Sequence, residues 1–436
     1  MTNLEATSAA LLKPQSVFLN RNFLLLFFGK IISQLGDHIY AFALSWYVLD
    51  LTKSSFQMAM FLVIDTLVVS AISPFGGVIA DRLNRKGIMV WMDVIRGLVV
   101  LLVAFLFSMN LLQIWILYVS AILLGFCGAV FAPASGAIIP NIVEDEQLTE
   151  AMSANQFSMS FCTMIGLLIS GLLYTWLGIF TIFLFNAISY FISGVMEAAV
   201  NIPLIERDNF NKPASIYQQL HKGYMEIRAG YQYIKGNQAV YYLLLMNTMF
   251  NLLGLPIVLI YTPYIFNVLL KATPFQLALP QAAIWVGMIL GSFLTSIILH
   301  RQKLKHLIFW GFLTLSIFTL IGVPMLVPAV RSYFNLDNWG VSIFWTIVNT
   351  VCGLAVSFFT IPMYVIYQKR IADEYRGRFW GLENALRTAA ICSGYFIAGF
   401  LAQKVWVGFL FGGTAIALFV INVWATNVKA IRELKD

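Results

Sequence analysis

Gly76-Gly77-Val78-Ile79-Ala80-Asp81-Arg82-Leu83-Asn84-Arg85-Lys86-Gly87 is a short polar break between two long apolar runs. Each part of it has a physical reading. Gly76 and Gly77 carry no Cβ, so another helix can approach closely at the end of the run they close. Asp81 places a carboxylate where it can meet the positive N-terminal end of a neighbouring helix. Asn84 can adopt the left-handed backbone that a tight turn asks for. Arg82, Arg85 and Lys86 hold the loop on one side of a membrane.

Outward from this loop the apolar runs continue along the whole chain. Of 436 residues, 60% are hydrophobic and only 11% charged, against roughly 25% charged in soluble proteins. At about 20 apolar residues per crossing, the composition supplies about twelve helices. It excludes a soluble enzyme. The runs do not alternate, so an outer-membrane barrel is excluded too. The spans predicted are about 23–48, 55–79, 88–109, 114–132, 153–175, 179–202, 239–266, 276–299, 307–327, 341–366, 379–402 and 406–427. The first run holds Lys30 and Asp37 and no obvious processing site, so it is expected to stay as a span. Cys127, Cys162, Cys352 and Cys392 all lie in apolar runs and form no metal-ligand spacing. They read as small buried residues.

With the N-terminus placed in the cytoplasm, 20 of the 27 Lys and Arg fall in cytoplasmic segments, only Lys53, Lys271, Arg331 and Lys404 fall in external loops, and Lys30, Arg96 and Arg387 lie within spans. That asymmetry predicts a cytoplasmic-membrane protein with both termini and the loop 203–238 inside. The same asymmetry makes the net charge of +7 a matter of topology, with no nucleic-acid partner expected. The loop divides the chain into two six-span halves, 1–202 and 239–436. Within it Ile216, Leu220, Tyr224, Ile227, Tyr231 and Ile234 recur at helical spacing, with Lys222, Arg228 and Lys235 between them. This stripe suits either a membrane-surface helix or a linker helix packed on the bundle ends. The halves also echo one another: Pro133, Ile142 and Asn155 recur as Pro362, Ile371 and Asn384 at one constant offset.

The loop resembles the signature of the major facilitator superfamily, matched by Gly77, Asp81, Arg82, Arg85 and Lys86, with Asn84 in place of a glycine. Further stretches resemble its macrolide-efflux and enterobactin-exporter-like branch: Asn20-Arg21-Asn22-Phe23, Gln34-Leu35-Gly36-Asp37, Trp46-Tyr47-Val48-Leu49, Ile138-Ile139-Pro140-Asn141-Ile142-Val143, Glu146-Gln147-Leu148 and Arg376-Gly377-Arg378. The resemblance implies an all-α integral membrane fold, twelve transmembrane helices in two pseudo-symmetric six-helix bundles. It also implies a conformational latch at Gly77, Asp81, Arg82, Arg85 and Lys86, with Asp81 near the start of span 11. The antiporter arginine of span 4 is absent, Ala121 standing in its place. The span 5 motif is reduced to Gly166-Leu167-Leu168-Ile169-Ser170-Gly171, and the second-half loop has no aspartate.

Ionisable groups inside a membrane are costly and mark function by default. Asp37 and Asp65 each lie 14 residues from the cytoplasmic end of their span, roughly 21 Å deep at about 1.5 Å per residue. They are the expected proton and substrate site, together with Gln34, which shares a helix face with Lys30 and Asp37. A structural alternative has Lys30 and Asp37 neutralising each other, although about 10 Å of helix separates them. His38 points about 100° away from Asp37 and is a weaker candidate. Asp93 with Arg96, and Glu383 with Arg387, have the spacing of local ion pairs, serving structure or gating. Glu197 is expected to reach the interface. Asn247 and Asn251 form one amide face, suited to holding substrate or to gluing helices. Trp46, Phe157, Phe161, Trp345, Phe358, Phe359 and Trp380 are candidates to line a cavity for a bulky ligand.

The chain is thus expected to be a secondary transporter. It would export a hydrophobic or amphipathic, drug-like small molecule by alternating access, coupled to protons. No cofactor, metal or catalytic set is indicated, and lipids and protons are the other partners expected of a monomer. A lipid or lysolipid flippase and a siderophore exporter are the rival cargoes. A membrane-embedded enzyme or a non-transporting sensor is the rival class, and measurable flux in liposomes separates transport from both.

Overall fold

The computed structural model describes residues 16–201, 225, 228–298 and 303–432, without the side chains of Asp81 and Arg82. Eleven long helices follow one another among them: α1 (Arg21–Thr52), α2 (Ser55–Arg82), α3 (Arg85–Ser108), α4 (Ile114–Ile142), α5 (Leu148–Ala198), α6 (Gln238–Pro256), α7 (Pro274–Ile298), α8 (Leu304–Gly322), α9 (Asn338–Arg370), α10 (Asp373–Lys404) and α11 (Val407–Asn427). Ten helical segments are long and apolar enough to cross a membrane. One of these, Asp145–Ala198, has 54 residues, about 80 Å of helix against a hydrocarbon core of about 30 Å. It folds back at Gly178, whose φ of 75° is open to glycine at little cost. Its two arms are spans five and six. With α1, whose charged residues lower its mean hydropathy, the chain is a twelve-span, all-helical membrane protein.

Two compact units make up the chain, Met1–Leu44 with Ile64–Arg207, and Ser45–Val63 with Asp208–Asp436. In the first, α3 packs against α4 and α5. A Cβ on Gly76 would strike the carbonyl oxygen of Ala129, whereas one on Gly77 would meet open space. The close approach of α2 to α4 therefore needs Gly76, and Gly77 is free of it. Asn84 does not use the left-handed freedom open to it. Its φ is −65° and ψ 109°, and its side chain accepts from the Lys86 and Gly87 amides. It starts α3 as an N-cap, satisfying two otherwise orphaned donors, so no left-handed turn is needed. Arg85 Nη1 donates to the Ala137 carbonyl at 2.8 Å and so ties this loop to α4. Glu150 accepts from Ser16 Oγ at 2.7 Å and from the Val17 amide at 2.9 Å, so a carboxylate at the start of α5 caps the turn that precedes α1.

In the second unit α7 and α9 are the most intimately packed pair. Gly287 and Gly291 form a small-residue ridge on α7, and Gly353 opposes it on α9. Cβ atoms at Gly287 and Gly353 would collide with the carbonyls of Thr350 and Ile284, and one at Gly291 would lie 2.7 Å from Leu354 O. Helices that touch backbone to backbone can also exchange side-chain hydrogen bonds. Ser342 Oγ donates to Gln276 O at 2.6 Å, Asn349 Nδ2 to Pro280 O at 2.9 Å and Ser357 Oγ to Met288 O at 2.8 Å. Gly353→Val is expected to lower unfolding stability by more than the about 1–3 kcal/mol usual for overpacking, because backbone cannot move aside. Gly413→Ala, where a Cβ meets nothing within 4 Å, is the matched control. Chemical unfolding of both variants in detergent checks this, and equal stabilities would refute the close-packed ridge.

After Pro256, α6 continues through two π-helical turns, Ile257–Tyr261 and Ile265–Leu269. Pro263 has no N–H to give the Val258 carbonyl five residues back. Gln281 Nε2 of α7 supplies the missing donor at 3.1 Å, the repair by a neighbour that prolines inside membranes require.

Of the loop stripe, Ile216, Leu220, Tyr224 and Ile227 lie outside the described residues. The described part, 228–236, is helical and favours the packed linker. Tyr233 stacks on Tyr375 with centroids 4.1 Å apart, and its hydroxyl accepts from the Ala372 amide at 3.1 Å. A Cβ on Gly230 would lie 2.7 Å from Arg378 O. This helix therefore seats on the start of α10.

Candidate functional site

Helices α1, α3 and α5 bring a chain of polar side chains into the first unit. Asp37, on α1, accepts a hydrogen bond on Oδ1 from the hydroxyl of Tyr190 on the second arm of α5. The Tyr190 ring lies 5.4 Å from the guanidinium carbon of Arg96 on α3, and Phe131 of α4 lies 4.7 Å from it. Arg96 Nη1 donates to Asp93 Oδ1 at 3.2 Å. A delocalised cation between two ring faces and a carboxylate is weakly hydrated to begin with, which suits guanidinium better than ammonium. Arg96 is 5% exposed and Asp93 is fully buried.

Asp37 is half-buried, and Asp65 on α2 is open on its own unit. Asp37 is the charged group that bears on Asp65 electrostatically. Arg96 in turn is the cation whose field reaches Asp37. Lys30 takes a different partner from the one its spacing suggests. Its Nζ donates to Asn155 Oδ1 at 2.6 Å, and Asp37 is served by Tyr190 and Arg96. The helix rise that separates Lys30 from Asp37 explains this, since one helix cannot fold its own side chains across that gap. His38 faces away from Asp37, with Nε2 3.0 Å from the Thr163 hydroxyl. The carbonyl oxygen of Gln34 is shielded and finds no hydrogen-bond partner among the described residues.

Glu197 overturns the expectation that it reaches the interface. It is 2% exposed, with Ser193 Oγ 3.5 Å from its Oε1. The second arm of α5 carries Asn186, Tyr190, Ser193 and Glu197 at steps of four, three and four. That polar stripe on an apolar helix points into the unit, and it draws Glu197 inward with it. Tyr190 and the stripe are what residue-by-residue reading overlooked. The spacing itself was the available signal.

In the second unit the amide face is occupied internally. Asn247 Nδ2 donates to Glu383 Oε1 at 3.1 Å, and Asn251 Nδ2 to the Asn247 carbonyl at 2.8 Å. Glu383 also lies 3.6 Å from Arg387 Nε, whose Nη2 donates to Asn384 Oδ1 at 2.6 Å. Asn247 thus glues α6 to α10. The repeat seen in sequence has a chemical counterpart, since Asn155 and Asn384 each accept from a basic side chain.

Among the aromatic candidates, Trp46, Trp345 and Phe359 are buried packing residues, with Trp345 5.2 Å from Phe411 and Phe359 4.2 Å from Phe312. Phe157 and Phe161 are exposed and stack on each other at 5.8 Å. The latch candidates Arg85 and Lys86 lie at the start of α3. The side chains of Asp81 and Arg82 lie outside the described residues.

Comparison with known proteins agrees with this architecture. The chain is 26% identical over 412 residues to macrolide efflux protein A of Streptococcus pyogenes, covering 93% of this chain and 95% of that one. It is also 26% identical over 329 residues to macrolide efflux protein A of Enterococcus faecalis, covering 74% and 94%. A crystal structure of the nucleoside transporter NupG superposes with a TM-score of 0.71 at 11% identity, covering 95% of this chain and all of that one, a likeness of fold alone. The Major Facilitator Superfamily profile matches residues 26–395, and with twelve spans and these relatives the chain belongs to the major facilitator superfamily of membrane transporters.

Proposed function

We propose that this transporter exports a hydrophobic or amphipathic small molecule of macrolide-like character across the cytoplasmic membrane, driven by protons entering through Asp37 and Asp65. The observation that carries the reading is the Asp37–Tyr190–Arg96 arrangement. It presents one half-buried carboxylate, held by a phenol and a guanidinium, next to a second carboxylate on α2. Two carboxylates that feel each other's charge in an apolar setting favour keeping a proton on one of them. Opening to one side or the other would then load or release it. The macrolide efflux for which the relatives are named supports the direction and the class of cargo. The exposed Phe157–Phe161 stack offers an apolar face to such a cargo.

The deciding experiment reconstitutes the full chain in liposomes with an imposed pH gradient. It follows macrolides, cationic dyes, siderophores and lysolipids in parallel. Accumulation of a macrolide or dye only with the gradient supports the reading, and lysolipid movement indifferent to it would replace the reading with a flippase.

The orientation belongs to the same proposal, and it rests on the asymmetry of basic residues. Gly236→Cys, where a side chain meets open space, and Ser332→Cys, at an exposed position on the other side, are placed singly in a background without Cys127, Cys162, Cys352 and Cys392. An impermeant thiol reagent added to intact cells is expected to label Ser332→Cys alone. Labelling of Gly236→Cys from outside would invert the topology.

A further inference from the structure

Three carboxyl groups and two cations lie along the polar chain of the first unit: Asp37, Asp93 and Glu197 against Lys30 and Arg96. Four of the five are nearly sealed from solvent, with Lys30 9%, Asp93 0%, Arg96 5% and Glu197 2% exposed. Fully ionised, the set carries one negative charge in excess. An uncompensated charge in a medium of low polarity is far more costly than a bound proton. The neutral set is therefore the one in which a carboxyl keeps its proton.

The contacts select which carboxyl that is. Asp93 has Arg96 at 3.2 Å. Asp37 has the Tyr190 hydroxyl as a donor and the field of Arg96. Glu197 has only the Ser193 hydroxyl, at 3.5 Å, and its Oε2 is buried with no partner among the described residues. No ion pair joins it to Lys30 among the described residues, since the ammonium is turned to Asn155 at 2.6 Å. The groups that face Glu197 are Asp93, Arg96 and Lys86 from α3, Lys30 from α1 and Ser193 on its own helix, and Lys86 shares a gap with it but forms no ion pair with it among the described residues. Asp93 is the like charge that bears on Glu197, and its Oδ2 is likewise buried and unpartnered among the described residues. A carboxylate beside another carboxylate, with its counter-ion turned away, is the group that holds a proton.

Glu197 also has a route to water. A cavity of about 10 Å³ is lined by Leu26, Lys86, Met89, Ile138, Glu197 and Val200, room for a single water. Lys86 belongs to the basic loop, so this gap leads to the basic side of the bundle.

We propose that Glu197 is a second proton-binding site of this transporter, loaded in the state described here and emptied past Lys86. Its protonation stands on the contacts alone, and its place as the exit station for the driving proton rests on the proton coupling proposed above. On release the O–H bond of Glu197 breaks, the proton passes to water in the gap, and the carboxylate left behind takes Lys30 as its counter-ion.

Infrared difference spectroscopy of the lipid-reconstituted full chain reads this directly. At neutral pH the wild type is expected to show the C=O stretch of a protonated carboxyl. The Glu197 part of that intensity should be lost in Glu197→Gln and persist in Asp37→Asn, which alters only the part due to a proton shared by Asp37 and Asp65. Persistence of the full band in Glu197→Gln overturns the proposal whatever transport does. So would failure of Glu197→Gln to fold, because the amide replaces a neutral acid almost atom for atom and should be tolerated. In proteoliposomes, Glu197→Gln is expected to lose at least tenfold of its pH-driven accumulation while keeping substrate exchange. Loss of the band in the variant, with no pH-driven accumulation even in the wild type, would leave Glu197 a proton site and refute the coupling.

Discussion

Asp37→Asn is expected to abolish accumulation of cargo under a pH gradient while leaving exchange down the cargo's own gradient intact. A difference of one pH unit stores about 1.4 kcal/mol per proton, enough for about tenfold accumulation if one proton moves per cargo molecule. The amide of Asn can still accept from Tyr190, whose hydroxyl is the donor to Asp37. It cannot take up and release a proton. The arrangement around it should therefore survive and only the coupling should go. Asp65→Asn is expected to do the same, since Asp37 is the charge that bears on Asp65. The pH gradient and the exchange assay are run on one preparation, so loss of both would indicate a damaged fold. Wild-type accumulation by either variant would remove that residue from the coupling site.

What the sequence disclosed depended on the range of the interaction. The twelve spans follow from local composition, and each runs long enough to be read without its neighbours. The Asp93–Arg96 and Glu383–Arg387 pairs were legible too, because partners three and four residues apart on a helix meet whatever surrounds them. Lys30 shows where such reading stops. Its own helix offered Asp37 as a partner, but Asn155 reaches it from α5, 125 residues away. The turn at Gly178 was expected as a break between spans, yet the glycine itself drew no attention. Its importance lies in a backbone angle, which no neighbour in sequence reveals. Asn84 shows the opposite case. Its tolerance for a left-handed backbone was real, but its side chain found better use as a cap for α3. Glu197 was misplaced because depth was counted along the helix, without the direction in which the side chain points. The four-three-four stripe it shares with Asn186, Tyr190 and Ser193 carries that direction.

Arg96 offers the largest expected effect on stability. Its guanidinium contacts Asp93 and lies over the rings of Phe131 and Tyr190. Arg96→Met keeps much of the volume and removes the charge, leaving Asp93 buried without a cation. Breaking a buried pair from one side costs about 3–5 kcal/mol, and that is the loss expected in chemical unfolding. Removing both charges should cost far less, because nothing is then left unpaired. The double variant Asp93→Asn with Arg96→Met is expected to recover stability relative to Arg96→Met alone, with an interaction energy at the upper end of the about 0.5–3 kcal/mol seen for contacting residues. Additive losses would show that the two side chains are independent and that Arg96 is held by its rings alone. Arg96→Lys separates these contributions further. It keeps the charge but loses the planar group that both rings face, so it should restore part of the stability and not all of it. If Lys matches Arg in full, the aromatic cradle contributes nothing, and the position of Tyr190 against Asp37 must be set by packing instead.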